Sequence, residues 1–346
     1  MPTKVQNLYP KTLKIFDGFA VLEQKKTPLF LDTLAQLELS NGGAGFRGPF
    51  LIDPNDGVSK LRKRAKSKYF TGLIAIPLAE LRNKLEKYYR NAHYCNNTLL
   101  QSGLRVTSKY CNTRICNTCN RIRTAKLING YQSELAEHPN KRFVTLTVPN
   151  VLNDQLELAI ADMQKCLFLI KATMKRQKIK YAGLRKLEIT YNAIRNDFHP
   201  HFHLIIDSLE NAEIFLNLWL KMNPYANRGA QNIREVDDDT MMELFKYSTK
   251  VITDVNGKGV VNIPAVDTIM RAIYGKRVIQ PFGAIKKQVS EEVEELQAHE
   301  YVGIPEYEMM EWVWEKEDWV NEYGELLTGH TPSVEIQALK IVNNFL

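Results

Sequence analysis

The sequence predicts an α+β fold: one antiparallel β-sheet with its helices packed on a single face. Two observations carry this. From Arg142 to Val236 six segments switch between two-residue and 3.6-residue hydrophobic periodicity, in the order β-α-β-β-α-β. That order is the one of a ferredoxin-like antiparallel sheet. The second observation is composition: 346 residues, 44% hydrophobic and 25% charged, are ordinary for a soluble globular chain with a sizeable core.

The elements follow one another along the chain. "RFVTLTV" (142–148) is β-branched and stops at Pro149-Asn150, a strand and its terminator. Leu156, Ile160, Met163, Leu167, Ile170 and Met174 recur at helical spacing, and Cys166 falls within that stripe as a core residue. "LRKLEITY" (184–191) alternates again, with Leu187, Ile189 and Tyr191 on one face. "NAIRND" (192–197) is a turn, "FHPHFHLII" (198–206) the next strand, "NAEIFLNLWLK" (211–221) a second helix and "QNIREV" (231–236) a fourth strand. A further helix is expected from about Thr240 to Ile252.

The histidine strand is the first chemical signal. His199, His201 and His203 alternate and so share one face, while Phe198, Phe202, Leu204 and Ile206 take the other and meet the helices. The histidines are therefore expected on the open face of the sheet. A regular hairpin closed by 192–197 pairs Tyr191 with Phe198 and puts Glu188 opposite His201. Imidazoles with one carboxylate make a divalent-metal site suited to Mg²⁺ or Mn²⁺, with positions left for phosphate oxygens.

The second signal is "DDDTMMELFKYSTKVITD". Glu243, Tyr247 and Lys250 stand at i, i+4 and i+7, one helical stripe. A tyrosine hydroxyl can attack a phosphodiester that a metal polarises, and a nearby lysine can offset the charge. Thr240-x-x-Glu243 also reads as a capping box, which by itself would account for Glu243.

The third signal is a cysteine cluster. Cys95, Cys111, Cys116 and Cys119 hold four of the five cysteines and end in C-x-x-C, a common zinc half-site. His93 is a substitute for Cys95 in such a set. Arg114, Arg121, Arg123 and Lys126 flank it as candidate phosphate contacts. Further upstream, "SKLRKRAKSKYF" (59–70) is a basic run that reads equally as a phosphate contact or a solvated helix face.

Charge is unevenly spread. Ser290 to Leu346 holds 14 Asp/Glu against two Lys, a net of −12, so the rest of this +7 chain carries +19. A body that basic fits a polyanionic partner. The acidic end contains three of the four Trp and is expected to be an added folded element or a docking segment rather than a disordered tail. The chain opens without the apolar stretch of a signal peptide, and no apolar run reaches membrane-span length, which leads us to expect a cytoplasmic protein.

Three blocks in order, "FVTLTVPN" (143–150), "FHPHFHLII" (198–206) and "ELFKYSTK" (243–250), resemble the three motifs of HUH endonucleases, in particular the plasmid rolling-circle replication initiators. The resemblance covers about 110 to 250. It implies an HUH palm with an added zinc module. His201 and His203 match the metal ligands, with Glu188 beside them and His199 as an extra ligand, a DNA contact or an outer partner. Tyr247 matches the nucleophile and Lys250 its neighbouring lysine, while Glu243 matches the acid of the terminating step. Lys246 joins the candidate DNA contacts. "CNTRICNTC" (111–119) resembles the family's C-x-x-x-R-x-C-P-x-C block but lacks the Pro after Cys116. The implied cofactors are Mg²⁺ or Mn²⁺ and structural Zn²⁺. The implied partners are plasmid origin DNA, single-stranded or hairpin-extruded, and the host helicase and polymerase. Four regions are expected: a basic region over 1–90, the zinc module over 91–135, the catalytic domain over 140–285 and the acidic element over 286–346. Two other readings fit part of the sequence. One is a histidine-triad nucleotide hydrolase, whose His-φ-His-φ-His-φ-φ pattern "HPHFHLII" approaches. The other is a non-catalytic zinc DNA-binding protein.

Overall fold

The computed structural model describes residues 50–51, 57–102, 105–245, 252–255, 258–285 and 308–345. In chain order the elements are β1 (Phe50–Leu51), α1 (Gly57–Glu80), α2 (Glu86–Tyr94), β2 (Thr98–Ser102), β3 (Arg105–Ser108), α3 (Asn117–Ala136), β4 (Arg142–Thr147), α4 (Leu156–Arg176), β5 (Ala182–Asn192) and β6 (Asp197–Ile206). There follow α5 (Leu209–Met222), β7 (Asn232–Glu235), α6 (Asp238–Phe245), β8 (Ile252–Val255), β9 (Lys258–Asn262), α7 (Ile263–Ile273), β10 (Ile279–Gly283), β11 (Glu308–Val313), β12 (Asp318–Val320), α8 (Val334–Gln337) and β13 (Lys340–Val342). The architecture is mixed α+β. No helix among the described residues is long and apolar enough to cross a membrane.

The central sheet runs β10-β5-β6-β4-β7 with every neighbouring pair antiparallel. Alternation sorts its side chains. Val144, Leu146, Leu187, Phe202, Leu204 and Ile206 are buried towards α4 and α5, whose Ile160, Met163, Leu167, Ile170, Phe215 and Trp219 are buried in turn. Each such side chain contributes on the order of 1.5–3 kcal/mol by leaving water. The Trp219 indole also donates to the Thr147 carbonyl at 3.2 Å, which ties α5 to the end of β4. The fifth strand, β10, adds to the β5 edge, outside the six segments that periodicity marked.

The opposite face was expected to be open, and it is not. Glu188, His201 and His203 are only 5–7% exposed. Helix α6 crosses this face against β5 and β6, and Thr124 of α3 donates to the Phe245 carbonyl at 3.2 Å. Strand alternation assigns a side chain to a face; it carries no information on what later segments lie over that face.

Helix α6 also differs from its expected bounds. It runs from Asp238 to Phe245, and a strand begins at Ile252. Its cap is Asp237: the carboxylate accepts from the Thr240 N–H at 2.8 Å, and Thr240 Oγ1 accepts from the Asp237 N–H at 2.7 Å. This reciprocal pair takes the place of the Thr240–Glu243 box and leaves the Glu243 side chain for other partners.

The basic run 59–70 lies in α1 and is partly internal, with Ala65, Lys68 and Phe70 at 0–2% exposure. The second sheet, β1-β3-β2-β11-β12, joins the strands around Cys95 to the Trp-bearing strands of the acidic end. Trp312 and Trp319 are buried there. Trp314 lies against Gly72 of α1, where any Cβ would overlap the indole. The last strand, β13, pairs in parallel with β9 in a third sheet. The acidic end is thus spliced into two of the three sheets.

Candidate metal centres

On β5, residues 186, 188 and 190 face α6 rather than α4, and on β6 so do 199, 201 and 203. Glu188 lies opposite His201, as the hairpin register read from the sequence has it, and Lys186 lies opposite His203. One ligand atom from each of Glu188, His201 and His203 falls within 4.8 Å of the others. His201 Nε2 and His203 Nε2 are 3.1 Å apart, and His203 Nε2 lies 3.7 Å from a Glu188 oxygen. Two nitrogens each about 2.1 Å from one ion and near right angles are about 3 Å apart, so the spacing fits a shared cation.

The far side of each ring sets its tautomer. His201 Nδ1 donates to the His199 carbonyl at 3.2 Å, so its Nε2 lone pair points into the group, and His203 Nδ1 lies 3.2 Å from Thr145 Oγ1, a contact that gives His203 the same tautomer when the hydroxyl accepts. Burial, then the neighbouring His201, pushes His203 down to about 3. The same causes push His199 down to about 4. Both rings are neutral near pH 7, the form that ligates a metal. His199 stands apart from the group: Thr147 Oγ1 engages its Nε2, and its ring stacks on His201 at 5.0 Å. Its backbone carbonyl is the partner of His201 Nδ1.

Glu243 reaches the same place from α6. One oxygen lies 3.6 Å from His203 Nε2 and the other is paired with Arg234. Arg234 in turn lies over the Phe143 ring at 4.7 Å. Tyr247, Lys250 and Lys246 lie outside the described residues.

The cysteines make a second group. Cys95, Cys111, Cys116 and Cys119 offer their Sγ atoms within 4.8 Å of one another. Cys95 to Cys119 is 3.6 Å and Cys111 to Cys119 is 3.7 Å. Four thiolates about 2.3 Å from a tetrahedral zinc are separated by about 3.7 Å. Backbone N–H groups of Cys111, Thr113 and Cys119 point at Cys95, Cys111 and Cys116 sulfurs at 3.3–3.5 Å, the donors a tetrathiolate needs. Against the cost of burial, hydrogen bonds from Cys111, Cys119 and Cys95 hold the Cys116 thiol well below its usual range. The donor chemistry fits zinc. His93, the candidate substitute, turns away and stacks on Trp314 at 4.9 Å and 9°.

Most of both groups lies within a stretch that matches a sequence family. Residues 104–215 match the family described as Replication protein, a span that takes in Cys111 to Cys119 and the histidine strand. The chain is 25% identical over 264 residues to Protein rep of Streptococcus pneumoniae serotype 2 (strain D39 / NCTC 7466), covering 66% of this chain and 80% of that one. It is 29% identical over 161 residues to Protein rep of Staphylococcus aureus, covering 40% and 69%. With Protein rep of Bacillus amyloliquefaciens it shares 26% over 225 residues, 53% of this chain and 64% of that one. Over these spans the chain is similar to Rep replication proteins. No solved structure matches it.

The basic residues that flank the cysteines divide. Arg123 is turned inward, 8% exposed, and bonds the Asn120 and Asn112 side chains at 2.6 and 2.7 Å. It braces the cysteine loop. Arg114 donates through Nη2 to the Lys276 carbonyl at 3.3 Å, and its backbone N–H to the Tyr88 hydroxyl. Arg121 and Lys126 are half-buried on α3.

Sequence reasoning passed over four residues of the metal face: Lys186, Thr145, Thr147 and Arg234. The first three carried a signal. Lys186 alternates with Glu188 and Thr190, and Thr145 with Thr147, so a polar stripe runs opposite each apolar one. Arg234 had none, because its partner Glu243 is nine residues away, across the turn into α6.

Proposed function

We propose that this chain is a plasmid rolling-circle replication initiator that nicks one strand of its origin through Tyr247. One observation carries the reading: buried Glu188, His201 and His203 converge with Glu243, whose helix is followed in sequence by Tyr247. Strand order supports it as well. In chain order β4, β5, β6 and β7 lie as β5-β6-β4-β7, the arrangement of a ferredoxin-like sheet and of the HUH palm.

Glu188, His201 and His203 would hold a Mg²⁺ or Mn²⁺ ion. When bound, that ion supplies Lewis-acid polarisation of the scissile phosphate. His199, Thr145 and Thr147 orient the imidazoles. The phenol oxygen of Tyr247 attacks phosphorus, the bond to the 3′ oxygen breaks, and the phenol proton is passed on while the departing 3′ oxygen is protonated. The products are a 5′-phosphotyrosyl ester and a free 3′-OH from which host polymerase extends. Lys250, three residues along in sequence, offsets phosphate charge. At termination Glu243 accepts the proton of the next nucleophile, water or a 3′-OH, as the phosphotyrosyl bond is resolved. Zinc on Cys95, Cys111, Cys116 and Cys119 would set the loop that presents Arg114 and Arg121 to DNA. Origin DNA is the substrate, and a helicase is the expected host partner.

The test is a denaturing gel of the protein incubated with Mn²⁺ and a single-stranded oligonucleotide from its own plasmid origin. A DNA–protein adduct is expected, and Tyr247→Phe abolishes it. An adduct that survives Tyr247→Phe removes that residue from the role.

A further inference from the structure

Lys186 is the least expected residue on the metal face. Its side chain is 1% exposed, yet it carries an ammonium group. A buried ammonium is retained only where partners replace its water. Two partners are in place: Glu188 Oε2 at 2.7 Å and the backbone carbonyl of Glu243 at 2.9 Å. The first belongs to the candidate metal group. The second belongs to α6, two residues before Phe245.

The consequence is mechanical. Glu188 and Lys186 stand two residues apart on one face of β5, and the Lys186 side chain is 1% exposed, so packing around its stem limits where the ammonium can sit. Through it the candidate metal carboxylate and the backbone of α6 are tied together. A further contact is the Glu243 side chain, which rests 3.6 Å from His203 and is 39% exposed, so it is a softer link.

We propose that Lys186 is a positioning residue that registers α6 against the candidate metal carboxylate, and with it the chain that leads in sequence to Tyr247. The geometry stands by itself; the catalytic consequence rests on the nicking reading above. A lysine that only neutralised Glu188 would act on metal affinity alone. A lysine that registers the helix acts on the rate at saturating metal and on the order of α6 without any metal.

Lys186→Met keeps the aliphatic stem and removes the charge. In metal-free protein, hydrogen exchange of amides 238–245 is expected to rise about tenfold or more, with amides 198–206 unchanged. At saturating Mn²⁺, adduct formation on the origin oligonucleotide is expected to fall on the order of 100-fold, the effect of a small misplacement of reacting groups, with oligonucleotide affinity unchanged. Lys186→Arg restores part of both. Unchanged exchange in 238–245 overturns the proposal, and so does a shift confined to the half-saturating Mn²⁺ concentration. Should Lys186→Met fail to fold, Lys186→Ala is assayed with and without propylammonium. Recovery of exchange protection by the amine upholds the registering role, and no recovery overturns it. If the parent protein itself forms no adduct, it is the nicking reading that fails, and the metal-free exchange measurement still decides the role of Lys186.

Discussion

Trp319 offers the sharpest test of how the acidic end is attached. The indole is fully buried, its Nε1 donates to the Asn96 carbonyl at 2.9 Å, and its ring meets Trp312 edge-on at 4.8 Å. Asn96 follows Cys95 directly and is 1% exposed, so its carbonyl has no route to water. Trp319→Phe keeps a ring against Trp312 but removes the donor. Leaving that carbonyl without its partner costs about 1–3 kcal/mol. The smaller ring leaves a void of roughly a methyl group or more, about 1 kcal/mol further. The total is about 2–4 kcal/mol, read by urea denaturation followed by far-ultraviolet circular dichroism. Because the lost bond is next to Cys95, zinc release to a chelator should also accelerate. A Trp319→Phe protein within about 0.5 kcal/mol of the parent, a shift typical of featureless surface positions, would refute the reasoning that this hairpin is anchored on the cysteine module.

Three further predictions follow from buried groups. His203 sits at about 3 when folded and near 6.5 when unfolded, so the unfolded chain takes up the proton first. Its contribution is full above about pH 6.5 and is lost as pH falls towards 3; at pH 5 about 2 kcal/mol should be gone, measured by denaturation without added divalent ion. His203→Gln should flatten that slope, and an unaltered slope would assign it to other groups. Arg123→Ala should loosen the cysteine loop by about 2–4 kcal/mol and speed zinc loss, because it strips the buried Asn120 contact and the half-buried Asn112 contact. Arg123→Lys should not restore it, since a point charge cannot span both acceptors; equal zinc retention in all three proteins would count against the brace. Gly72→Ala should displace Trp314 and cost about 1–3 kcal/mol by overpacking, seen as a change in tryptophan emission. An unchanged emission spectrum would show that the indole does not depend on that gap.

Much of the central sheet was legible because its residues advertise it. The predicted strand at 184–191 is Ala182–Asn192, the predicted helix from Leu156 is Leu156–Arg176, and the helix predicted at 211–221 is Leu209–Met222. Here periodicity and burial coincide, since each element has one wet or polar face and one core face. The legible part of the site was of the same kind. Glu188 and His201 meet through the register of a local hairpin, and the cysteines meet through a short loop.

The rest depended on contacts distant in sequence. The burial of the histidine face comes from α6 and α3, which reach it from opposite directions along the chain. The inward turn of Arg123 follows from Asn112 and Asn120, and nothing in a basic run distinguishes it from Arg121. The pairing of β11 with β2 joins Met310 to Leu99, more than two hundred residues apart.

By itself, then, the sequence determined the alternation of strands and helices, the face on which each histidine stands, and the two groups of candidate ligands. These follow from local stereochemistry, in which side-chain direction repeats every two or 3.6 residues. Tertiary structure alone decided that the metal face is buried, that His199 is held by Thr147 outside the ligand group, that Lys186 bridges Glu188 to α6, and that the acidic Trp-bearing end completes the cysteine module. Those outcomes are set by which distant surfaces exclude water together, and no local pattern encodes that choice.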